Sequence, residues 1–412
     1  MDICVTQIIN MSKDFKFLLS DFVNNLEESS TLKMAQMARN LKSKGYDVIN
    51  LSLGEPDFDT PQHIKDAANA ALNAGITKYT PVAGLLELRQ AIVEKLKRDN
   101  NIDSVVENIV VSNGCKQSFA NLCFALLNSG DEVVIFSPYW VSHYEIVKMT
   151  GGTPVEVKSN IESNFKITAS QLQQALSHKT KMIIFSSPCN PTGSVFSREE
   201  LESFSQVLQD FPNVIVVSDE IYEYINFTDK HVSIGSIPSI ADRTVTLNGF
   251  SKGFAMTGWR IGYMAAPIQI AQACTKVQGQ ITSGASSFGQ YASAVALGSD
   301  MKPTFKMVKA FKKRRDLLIN LLKDIKGIKY NIPEGAFYLF PDIRAFIGKS
   351  YNKVKIESAN DLCEYLLNHA HVALVGGEGF GEPNCLRISY AASEEDIKKA
   401  INRIKEALDE LK

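Results

Sequence analysis

One lysine stands among small and apolar residues in the stretch NGFSKGFAMTGWRIGY, residues 248–263. Its neighbours are Ser251, Gly253 and Phe254, whereas most lysines in proteins lie solvated on the surface. Desolvation disfavours the ammonium form and lowers the pKa of a lysine. The neutral amine is the form that attacks a carbonyl to give a Schiff base. Lys252 is therefore predicted to be a reactive amine, with a surface loop lysine as the alternative.

An acidic residue, Asp219, ends the apolar stretch NVIVVSDE. A carboxylate at the end of a buried strand is unfavourable unless a positive group pairs with it. That group could be a lysine, an arginine or the protonated ring nitrogen of a pyridine cofactor. The alternative is a helix N-cap, in which Asp219 or Ser218 caps a helix that starts at Glu220.

Two arginines are candidates for anion binding. Arg260 follows Lys252 by eight positions. Its guanidinium could form a structural ion pair or hold a phosphate dianion in a bidentate way. Arg387 lies in the apolar stretch CLRISYA. A buried guanidinium there needs a carboxylate, which the protein or a substrate could supply.

Further polar and aromatic residues follow apolar stretches. Asn190, in NPTG, is either a turn residue or a donor and acceptor at a strand end. The NGCK turn at 113–116 opens a helix whose first N–H groups could hold an anion. Trp140 could pack in a core or stack on a flat ring. The glycine-rich stretch at 375–383 lacks the GxGxxG fingerprint and is predicted to be a flexible loop.

The elements that must position these residues follow an α/β pattern. From about 108 to 267, short β-branched stretches alternate with amphipathic ones. Strands that are apolar on both faces predict a mostly parallel sheet covered by helices, and RIGYMAAP (260–267) is predicted to add an antiparallel strand. Ligands bind beyond the carboxyl ends of such strands. We therefore expect one edge to collect Ser112–Lys116, Tyr139–Trp140, Asn190, Asp219–Tyr222 and Ser251–Lys252.

The pattern changes from Pro303 to an α+β one. A long amphipathic helix is predicted there, followed by short strands and a charged C-terminal helix. Its apolar stripe is predicted to contain Phe305, Val308, Phe311, Leu317 and Leu321. Three parts are predicted: an N-terminal arm belonging partly to the small domain (1–60), a large cofactor-binding domain (61–302) and a small domain (303–412).

Composition excludes several classes of partner. The 412 residues carry 44 basic and 45 acidic side chains, a net charge of −1 that attracts neither nucleic acid nor an anionic membrane. The seven cysteines form no CxxC pair, so we expect no metal site and reduced thiols in a cytoplasm. Neither a secretory signal nor a membrane-spanning stretch is predicted.

The motifs LSLGEPDFDTP, KYTPVAG, SPYW, NPTG, SDEIYEY, SKGFAMTGWRIGY and LRISYA occur in this order. Together they resemble the fold-type I, pyridoxal-phosphate-dependent class I/II aminotransferases, and most of all the bacterial-type aspartate aminotransferases. The resemblance runs from about Val23 to the C-terminus. It implies a mostly parallel mixed sheet flanked by helices, a smaller α+β domain and pyridoxal 5′-phosphate as the cofactor.

The resemblance also implies the catalytic roles. Lys252 matches the Schiff-base residue and proton carrier. Asp219 matches the carboxylate that keeps the pyridine nitrogen protonated. Tyr222 and Asn190 match the pair that bonds the phenolic oxygen of the cofactor, and Trp140 matches the aromatic residue that stacks on its ring.

The phosphate group and the subunit arrangement follow from the same resemblance. Gly114, Cys115, Ser251 and Arg260 match the residues that hold the cofactor phosphate. Tyr79 matches a tyrosine that reaches the cofactor of the neighbouring subunit. The resemblance thus implies a homodimer with shared active sites.

The substrate-binding residues implied by the resemblance are Gly54, Trp140, Asn190, Arg387, Thr31 and Lys116. Among these, Arg387 matches the clamp on the α-carboxylate. Thr31 and Lys116 match positions associated with acidic side chains, and a second cation near Arg387 would suit a dicarboxylate. The alternative is that Lys116 lies in solvent in the first turns of its helix.

The expected activity is transfer of the amino group of aspartate to 2-oxoglutarate, giving oxaloacetate and glutamate through a two-step ping-pong cycle of the cofactor. An aromatic or prephenate-type aminotransferase is the alternative within the fold. A non-catalytic ligand-sensing module would need a DNA-binding domain and a basic face. A dehydrogenase is disfavoured because GxGxxG is missing. The segment Met1–Lys16 matches nothing in the family, and Gly249 replaces a phosphate-binding Ser of some relatives.

Overall fold

The computed structural model describes residues 19–24, 26, 30–228, 230–352 and 354–412. The segment Met1–Lys16 lies outside the described residues. The helices are α1 (Asp21–Asn24), α2 (Ser30–Ser43), α3 (Gln62–Asn73), α4 (Leu86–Lys95), α5 (Cys115–Leu126), α6 (Val141–Met149), α7 (Ala169–Ala175), α8 (Arg198–Gln209), α9 (Ile268–Ile281), α10 (Ser287–Gly298), α11 (Lys302–Leu322), α12 (Ala359–Tyr365) and α13 (Glu394–Asp409). Within the described ranges, no helix is both long and apolar enough to span a bilayer.

A seven-stranded sheet forms the centre of the fold, with the order β2-β8-β7-β6-β5-β3-β4. Its strands are β2 (Ile109–Ser112), β3 (Glu132–Ser137), β4 (Thr153–Lys158), β5 (Thr180–Ser186), β6 (Ile215–Asp219), β7 (Thr244–Gly249) and β8 (Gly262–Ala265). All neighbours are parallel except β8, which is antiparallel to both β7 and β2. The predicted mostly parallel sheet with one antiparallel return strand is confirmed.

The edge strand β4 was not predicted from the sequence. Its residues TPVEVK are mostly half-exposed, and it pairs only with β3 in the sheet order. Charged side chains and a proline are common on edge strands because these strands have one unpaired side. The pattern of apolar stretches therefore identified the central strands of the sheet but missed this edge.

Side chains of the sheet are buried on both faces, as the apolar strand sequences predict. In β3, Val133 and Ile135 pack into one hydrophobic cluster, whereas Val134 and Phe136 pack into another on the opposite face. Each fully buried side chain of this size contributes roughly 1.5–3 kcal/mol relative to exposure. These two cores hold the sheet rigidly, so the residues beyond its strand ends keep fixed positions.

A second group of elements packs mainly against α11 and α13. Its short strands are β1 (Ile49–Asn50), β9 (Tyr338–Leu339), β10 (Ser350–Tyr351), β11 (Val354–Lys355), β12 (Val372–Ala373), β13 (Val375–Gly376) and β14 (Leu386–Ser389). Strand β1 pairs with β12, and residues 48–51 share one core with residues 307–411. The domain boundaries at 60 and 302 stay predictions.

The stripe predicted for the long helix was partly wrong. Phe305 is 52% exposed, although Phe311 is fully buried as expected. The buried positions of α11 also include Thr304, Met307, Leu318 and Leu322, each three, four or seven residues from the next. Spacings of three and four place these side chains on one face of a helix, and Phe305 lies off that face.

Candidate active site

Polar residues beyond the strand ends meet around a single cavity of about 390 Å³. Of the predicted site residues, those lining this cavity are Thr31, Gly54, Cys115, Lys116, Trp140, Asn190, Asp219, Tyr222, Ser251, Lys252, Arg260 and Arg387. The expectation that one edge of the sheet collects these side chains is therefore met.

Lys252 lies in the turn after β7, with its amine inside the cavity. Its Nζ donates a hydrogen bond to the carbonyl oxygen of Gly54 and lies 5.8 Å from the ring centroid of Tyr222. Burial, and then the positive charge of Arg387, lower the pKa of Lys252 to about 8. A substantial neutral fraction is thus present at mildly alkaline pH. The alternative of an ordinary surface lysine is wrong.

This lowered pKa gives a testable pH dependence. In the cofactor-free protein, the acylation rate of Lys252 is expected to rise with pH and to reach half its limit near pH 8, because only the neutral amine reacts. Competitive labelling with acetic anhydride between about pH 6 and pH 11, followed by peptide mass spectrometry, measures this midpoint.

The internal control for this experiment is Lys302, whose pKa is raised by its hydrogen bond with Asp300. Its labelling midpoint should lie above that of an ordinary lysine, which is about 10.4. A midpoint for Lys252 close to that of Lys302 would contradict the assignment of a desolvated amine.

Asp219 is the last residue of β6 and is 5% exposed. One carboxylate oxygen accepts a hydrogen bond from the backbone N–H of Ile221 (3.2 Å), and the other lies 3.2 Å from Nε2 of the buried His143. Residues 221–224 form turns rather than a helix, so the N-cap alternative is wrong. The carboxylate is instead fixed at the cavity wall by a turn and lies against an imidazole.

A buried polar network fixes the chain directly after Asp219. Glu220 accepts a hydrogen bond from Asn100 (3.2 Å) and contacts Nε2 of His231 (2.9 Å). Glu223 pairs with the ammonium of Lys95, and Asn100 bridges the two carboxylates. Removing one partner of a buried ion pair costs about 3–5 kcal/mol. This network therefore anchors the turn after β6 against α4.

Two predicted residues, Tyr222 and Asn190, bring hydrogen-bonding groups to the same wall. Burial raises the pKa of Tyr222 well above its usual value, so its hydroxyl stays protonated and can donate. That hydroxyl lies 2.7 Å from the hydroxyl of Tyr338. The side-chain oxygen of Asn190 accepts a hydrogen bond from Arg387 (2.9 Å), which leaves the Asn190 amide N–H groups free to face a ligand.

The N-terminus of α5 and Arg260 form an anion-binding corner. Gly114, at the N-cap, has a φ of +79°, and a Cβ atom there would overlap the guanidinium of Arg260. Arg260 donates to the carbonyl oxygens of Thr257 (2.8 Å) and Asn113 (3.4 Å). Across the described part of the chain, no carboxylate lies within ion-pair distance of it. The structural ion-pair alternative is wrong, and the guanidinium together with the helix N–H groups suits a phosphate.

Arg387, in β14, is 2% exposed and donates to Asn190 and to the carbonyl oxygen of Ser52 (2.7 Å). Its guanidinium lies between the rings of Tyr338 (4.5 Å) and Phe380 (4.9 Å). Among the residues that the structure describes, no carboxylate pairs with it, and its Nε lacks a partner. Burial lowers the pKa of Arg387, yet guanidinium groups remain charged. A buried, unpaired cation of this kind needs an anionic ligand.

The loop before Arg387 contributes to the support of its guanidinium. Residues 375–383 include the strand β13 and a short helical turn, and Phe380 within them is fully buried. The carbonyl oxygen of Phe380 also accepts a hydrogen bond from the backbone of Tyr139 (3.0 Å). The predicted flexible loop is thus packed between the sheet and the guanidinium.

Lys116 lines the cavity rather than pointing away from it. Its Nζ lies 5.0 Å above the ring of Trp140. Partial burial, and then repulsion by Arg260, lower the pKa of Lys116. Lys116 nonetheless stays exposed to solvent, as the alternative expected, although it borders the cavity. Lys116 adds a second cation to the cavity that Arg387 lines, and Thr31, at the start of α2, adds a hydroxyl group.

Gly54 and Tyr79 differ from the other predicted residues in how they relate to the cavity. Gly54 lines the cavity, but its carbonyl oxygen holds Lys252. Tyr79 is 96% exposed and lies at a separate surface depression formed with residues 282–288, outside the cavity of its own chain. The structure of one chain therefore does not bring Tyr79 to the site.

Two of the residues that sequence reasoning missed at the site are His143 and Tyr338. His143 follows Trp140 by three positions, one helical turn, and that spacing is the signal that could have placed it near the same strand end. Tyr338 lies in the stretch GAFYLF, which reads as an apolar strand. Its contact with Tyr222 joins residues 116 positions apart, and no local pattern predicts it.

The parallel sheet, the desolvated lysine, the acidic strand end and the anion-binding helix terminus together define a pyridoxal-phosphate-dependent transferase of fold type I. The family model described as aminotransferase class I and II matches residues 46–404. The chain belongs to the class I and II aminotransferases and is a pyridoxal-phosphate-dependent transaminase.

Individual relatives agree with this assignment. The chain is 44% identical over 401 residues to a bifunctional aspartate aminotransferase and glutamate/aspartate-prephenate aminotransferase from Petunia hybrida, covering 96% of this chain and 83% of that protein. The aspartate aminotransferase of Rhizobium meliloti superposes with a TM-score of 0.92 at 40% identity, covering 96% and 99% of the two chains. The Thermus thermophilus aspartate aminotransferase with maleate gives 0.89 at 38% identity, covering 94% and 99%.

The residues around the cavity fit this cofactor chemically. A phosphate requires N–H and guanidinium donors, a pyridinium requires a carboxylate, and an aldehyde requires a neutral amine. The cavity supplies these groups through the start of α5 with Arg260, through Asp219 and through Lys252. Arg387 remains as an additional cation without a carboxylate partner in the described chain.

Proposed function

We propose that this chain is an aspartate:2-oxoglutarate aminotransferase with its reaction centre at Lys252. The observation that carries the proposal is the pairing, in one cavity, of a lysine with a lowered pKa and a buried arginine that has no carboxylate partner among the described residues. An amino acid or 2-oxo acid would supply the missing carboxylate. The names of the relatives from Petunia, Rhizobium and Thermus support aspartate as the donor.

When bound, pyridoxal phosphate supplies an electron sink for the electrons of the Cα–H bond. Asp219 keeps the pyridine nitrogen protonated by pairing its carboxylate with that N–H. Tyr222 and Asn190 would donate hydrogen bonds to the phenolic oxygen of the cofactor, and Trp140 would offer an aromatic surface for its ring. Each role is assigned from the chemistry of the side chain and from its place in the wall of the same cavity.

Lys252 has two tasks in this proposal. Its amine would hold the cofactor aldehyde, and the same amine, when free, would accept the proton from the substrate Cα and become an ammonium. Arg387 binds the α-carboxylate with two parallel N–H groups. Because the carboxylate is held in the plane that Arg387 defines, the Cα–H bond is the one oriented for cleavage. Reaction choice thus depends on orientation by a residue far from Lys252 in sequence.

The test of the proposed function combines a spectrum with amino-donor profiling. The purified protein should show a visible cofactor band, and adding aspartate or glutamate should bleach it in a half-reaction. Fast bleaching by phenylalanine, with none by aspartate or glutamate, would contradict the acidic-substrate assignment. Absence of the band after incubation with pyridoxal phosphate would contradict the reaction centre at Lys252.

Prephenate amination is the second candidate, because the relative from Petunia hybrida is named as a prephenate aminotransferase as well. Prephenate carries a 2-oxo acid and a second carboxylate, so Lys116 could bind it as it would bind aspartate. Supplying prephenate as the acceptor after a glutamate half-reaction distinguishes the two: rapid return of the visible band would favour a dual substrate range.

The specificity proposal makes a prediction for Lys116. Replacing it with Met keeps an unbranched chain over Trp140 but removes the charge, so kcat/KM for aspartate and glutamate should fall roughly 10- to 100-fold, the value of one charge-assisted hydrogen bond. Alanine and phenylalanine should lose at most about two-fold, since they lack a second carboxylate. Steady-state kinetics with the four donors measures this.

Lys148 provides the matched control. Its Nζ also lies over an aromatic ring, 5.4 Å from the centroid of Tyr144, on the neighbouring helix α6. It does not line the cavity. Lys148→Met should leave the donor profile unchanged. Equal losses for all four donors in Lys116→Met would contradict the assigned role.

A homodimer with shared sites is part of the proposal. Tyr79 is 96% exposed beside a depression formed with residues 282–288, and this exposure supports a contact with a second chain. Sedimentation velocity of the holoenzyme should therefore give a dimer, and a monomer at micromolar concentration would contradict it. The cytoplasmic location remains a prediction from the cysteine pattern.

A further inference from the structure

Tyr338 contacts two of the residues to which the proposed function assigns different tasks. Its hydroxyl lies 2.7 Å from that of Tyr222, and its ring lies 4.5 Å from the guanidinium carbon of Arg387. The side chain is fully buried in β9, and its ring is tilted against the neighbouring Phe337. Tyr338 was absent from the predicted site, yet it lines the same cavity.

The direction of the bond between the two hydroxyls follows from proton counting. Each tyrosine hydroxyl has one proton to donate and lone pairs to accept. If Tyr222 donates its proton to the phenolic oxygen of the cofactor, the bond between the tyrosines must use the proton of Tyr338. Among the described residues, Tyr222 is the hydrogen-bond partner of the Tyr338 hydroxyl. A hydroxyl that accepts a hydrogen bond becomes a stronger donor in turn.

We propose that Tyr338 is a positioning residue that strengthens hydrogen-bond donation by Tyr222 to the cofactor and supports Arg387 for the substrate carboxylate. This inference rests on the proposed function and deepens it. The hydroxyl of Tyr338 acts on Tyr222, whereas its ring acts on Arg387. One side chain from β9 therefore links the electronic state of the cofactor to the binding of the substrate.

The ring acts on Arg387 through its π-face. A guanidinium between two aromatic rings is held in one plane, and a cation gains stabilisation over such a face. Phe380 forms the second ring of this arrangement, at 4.9 Å. The two hydrogen bonds to Asn190 and Ser52 fix one edge of the guanidinium. The two rings therefore restrict the rotation of the guanidinium that these two hydrogen bonds alone would permit.

Tyr338→Phe tests the hydroxyl alone. A donor to the phenolic oxygen favours the deprotonated form of the lysine-bound cofactor, so weakening that donor raises the apparent pKa of the visible band. The expected rise is about half a unit to one unit, the value of one neutral hydrogen bond. Because the ring remains, KM for aspartate should stay within about two-fold of wild type. Spectrophotometric titration and steady-state kinetics measure the two quantities.

Tyr338→Leu tests the ring. It should raise the apparent pKa of the band as Tyr338→Phe does and should also raise KM for aspartate by roughly 10-fold, because the guanidinium loses one of its two aromatic faces. A purely structural role would lower thermal stability in both variants without shifting the band. An unshifted band in Tyr338→Phe, at unchanged cofactor content, overturns the inference.

A double-mutant cycle establishes whether Tyr338 acts through Tyr222. Tyr222→Phe should raise the pKa of the band more than Tyr338→Phe, and the double variant should match Tyr222→Phe alone. Additive shifts would overturn the relay. Failure of the proposed function is distinguishable, since the wild-type band would then titrate but would not bleach with aspartate or glutamate. A wild-type band that titrates and bleaches, with an unshifted Tyr338→Phe variant, rejects only the inference.

Discussion

Lys252→Ala is expected to lower kcat for transamination by roughly 10⁴-fold or more, because it removes both the covalent attachment and the proton-transfer group. The pH-dependent visible band should disappear at the same time. Stopped-flow absorbance with aspartate measures the half-reaction directly. Activity within about 10-fold of wild type would contradict the assignment of Lys252 to the chemistry.

Lys252→Arg is the matched control for charge. Arginine keeps the positive charge at this position but cannot supply a neutral amine, since its pKa exceeds about 12. The loss should therefore equal that of Lys252→Ala. If Lys252→Arg retained most of the activity, the cation rather than the nucleophilic amine would be the functional property.

Loss of activity in these variants should not reflect unfolding. The folded protein lowers the pKa of Lys252, so at neutral pH burial and Arg387 disfavour its charged form. Replacing the side chain with alanine removes this unfavourable term. The free energy of unfolding of the cofactor-free protein should therefore fall by less than about 1 kcal/mol. Chemical denaturation followed by circular dichroism provides the check.

Arg387→Leu is expected to lower kcat/KM for aspartate by roughly 10²- to 10⁴-fold, the value of two charge-assisted hydrogen bonds to the α-carboxylate. The loss should extend to every amino donor, since all carry this carboxylate. Stability of the cofactor-free protein should change by less than about 2 kcal/mol, because the removed desolvation penalty offsets two lost hydrogen bonds. Donor-resolved kinetics and denaturant unfolding measure both effects.

Arg314 offers a control with the same surroundings but a carboxylate partner. Its guanidinium lies over the rings of Phe58 (5.0 Å) and Phe311 (5.7 Å) and pairs with both carboxylate oxygens of Asp57 (2.7 and 2.9 Å). Arg314→Leu should reduce stability while kcat/KM stays within about three-fold of wild type. The opposite pattern, with a stability loss only in Arg387→Leu, would mean that Arg387 serves the fold.

Much of the fold could be predicted because the central strands are buried on both faces. A continuous stretch of β-branched residues, such as the one that ends at Asp219, predicts a buried strand even when its partner strands are unknown. The edge strand β4 was not predicted because its half-exposed residues form no continuous apolar stretch. Phe305 was assigned to the apolar stripe of α11 by its approximate helical spacing, whereas the buried face of the helix runs through Met307 and Phe311 and leaves it outside.

The candidate site was predictable where polar residues directly follow strands. Parallel strands bring their carboxyl ends to one edge, so Asp219 and Lys252 had to meet there. His143 and Tyr338 were missed for a different reason. Neither stands at the end of a long apolar strand, and their partners, Asp219 and Tyr222, lie 76 and 116 positions away in sequence.

By itself, the sequence determined the class of fold, the reactive lysine and the set of residues around it, because strand periodicity and strand-end chemistry are local properties. Only the tertiary structure decided which of those residues are buried and which have a charged partner. Arg387 could have found a carboxylate in the protein, and Lys116 could have pointed away from the cavity, until packing placed both at its wall. The physical reason is that burial and charge pairing depend on long-range neighbours, and these set the pKa of Lys252 and the need of Arg387 for an anion.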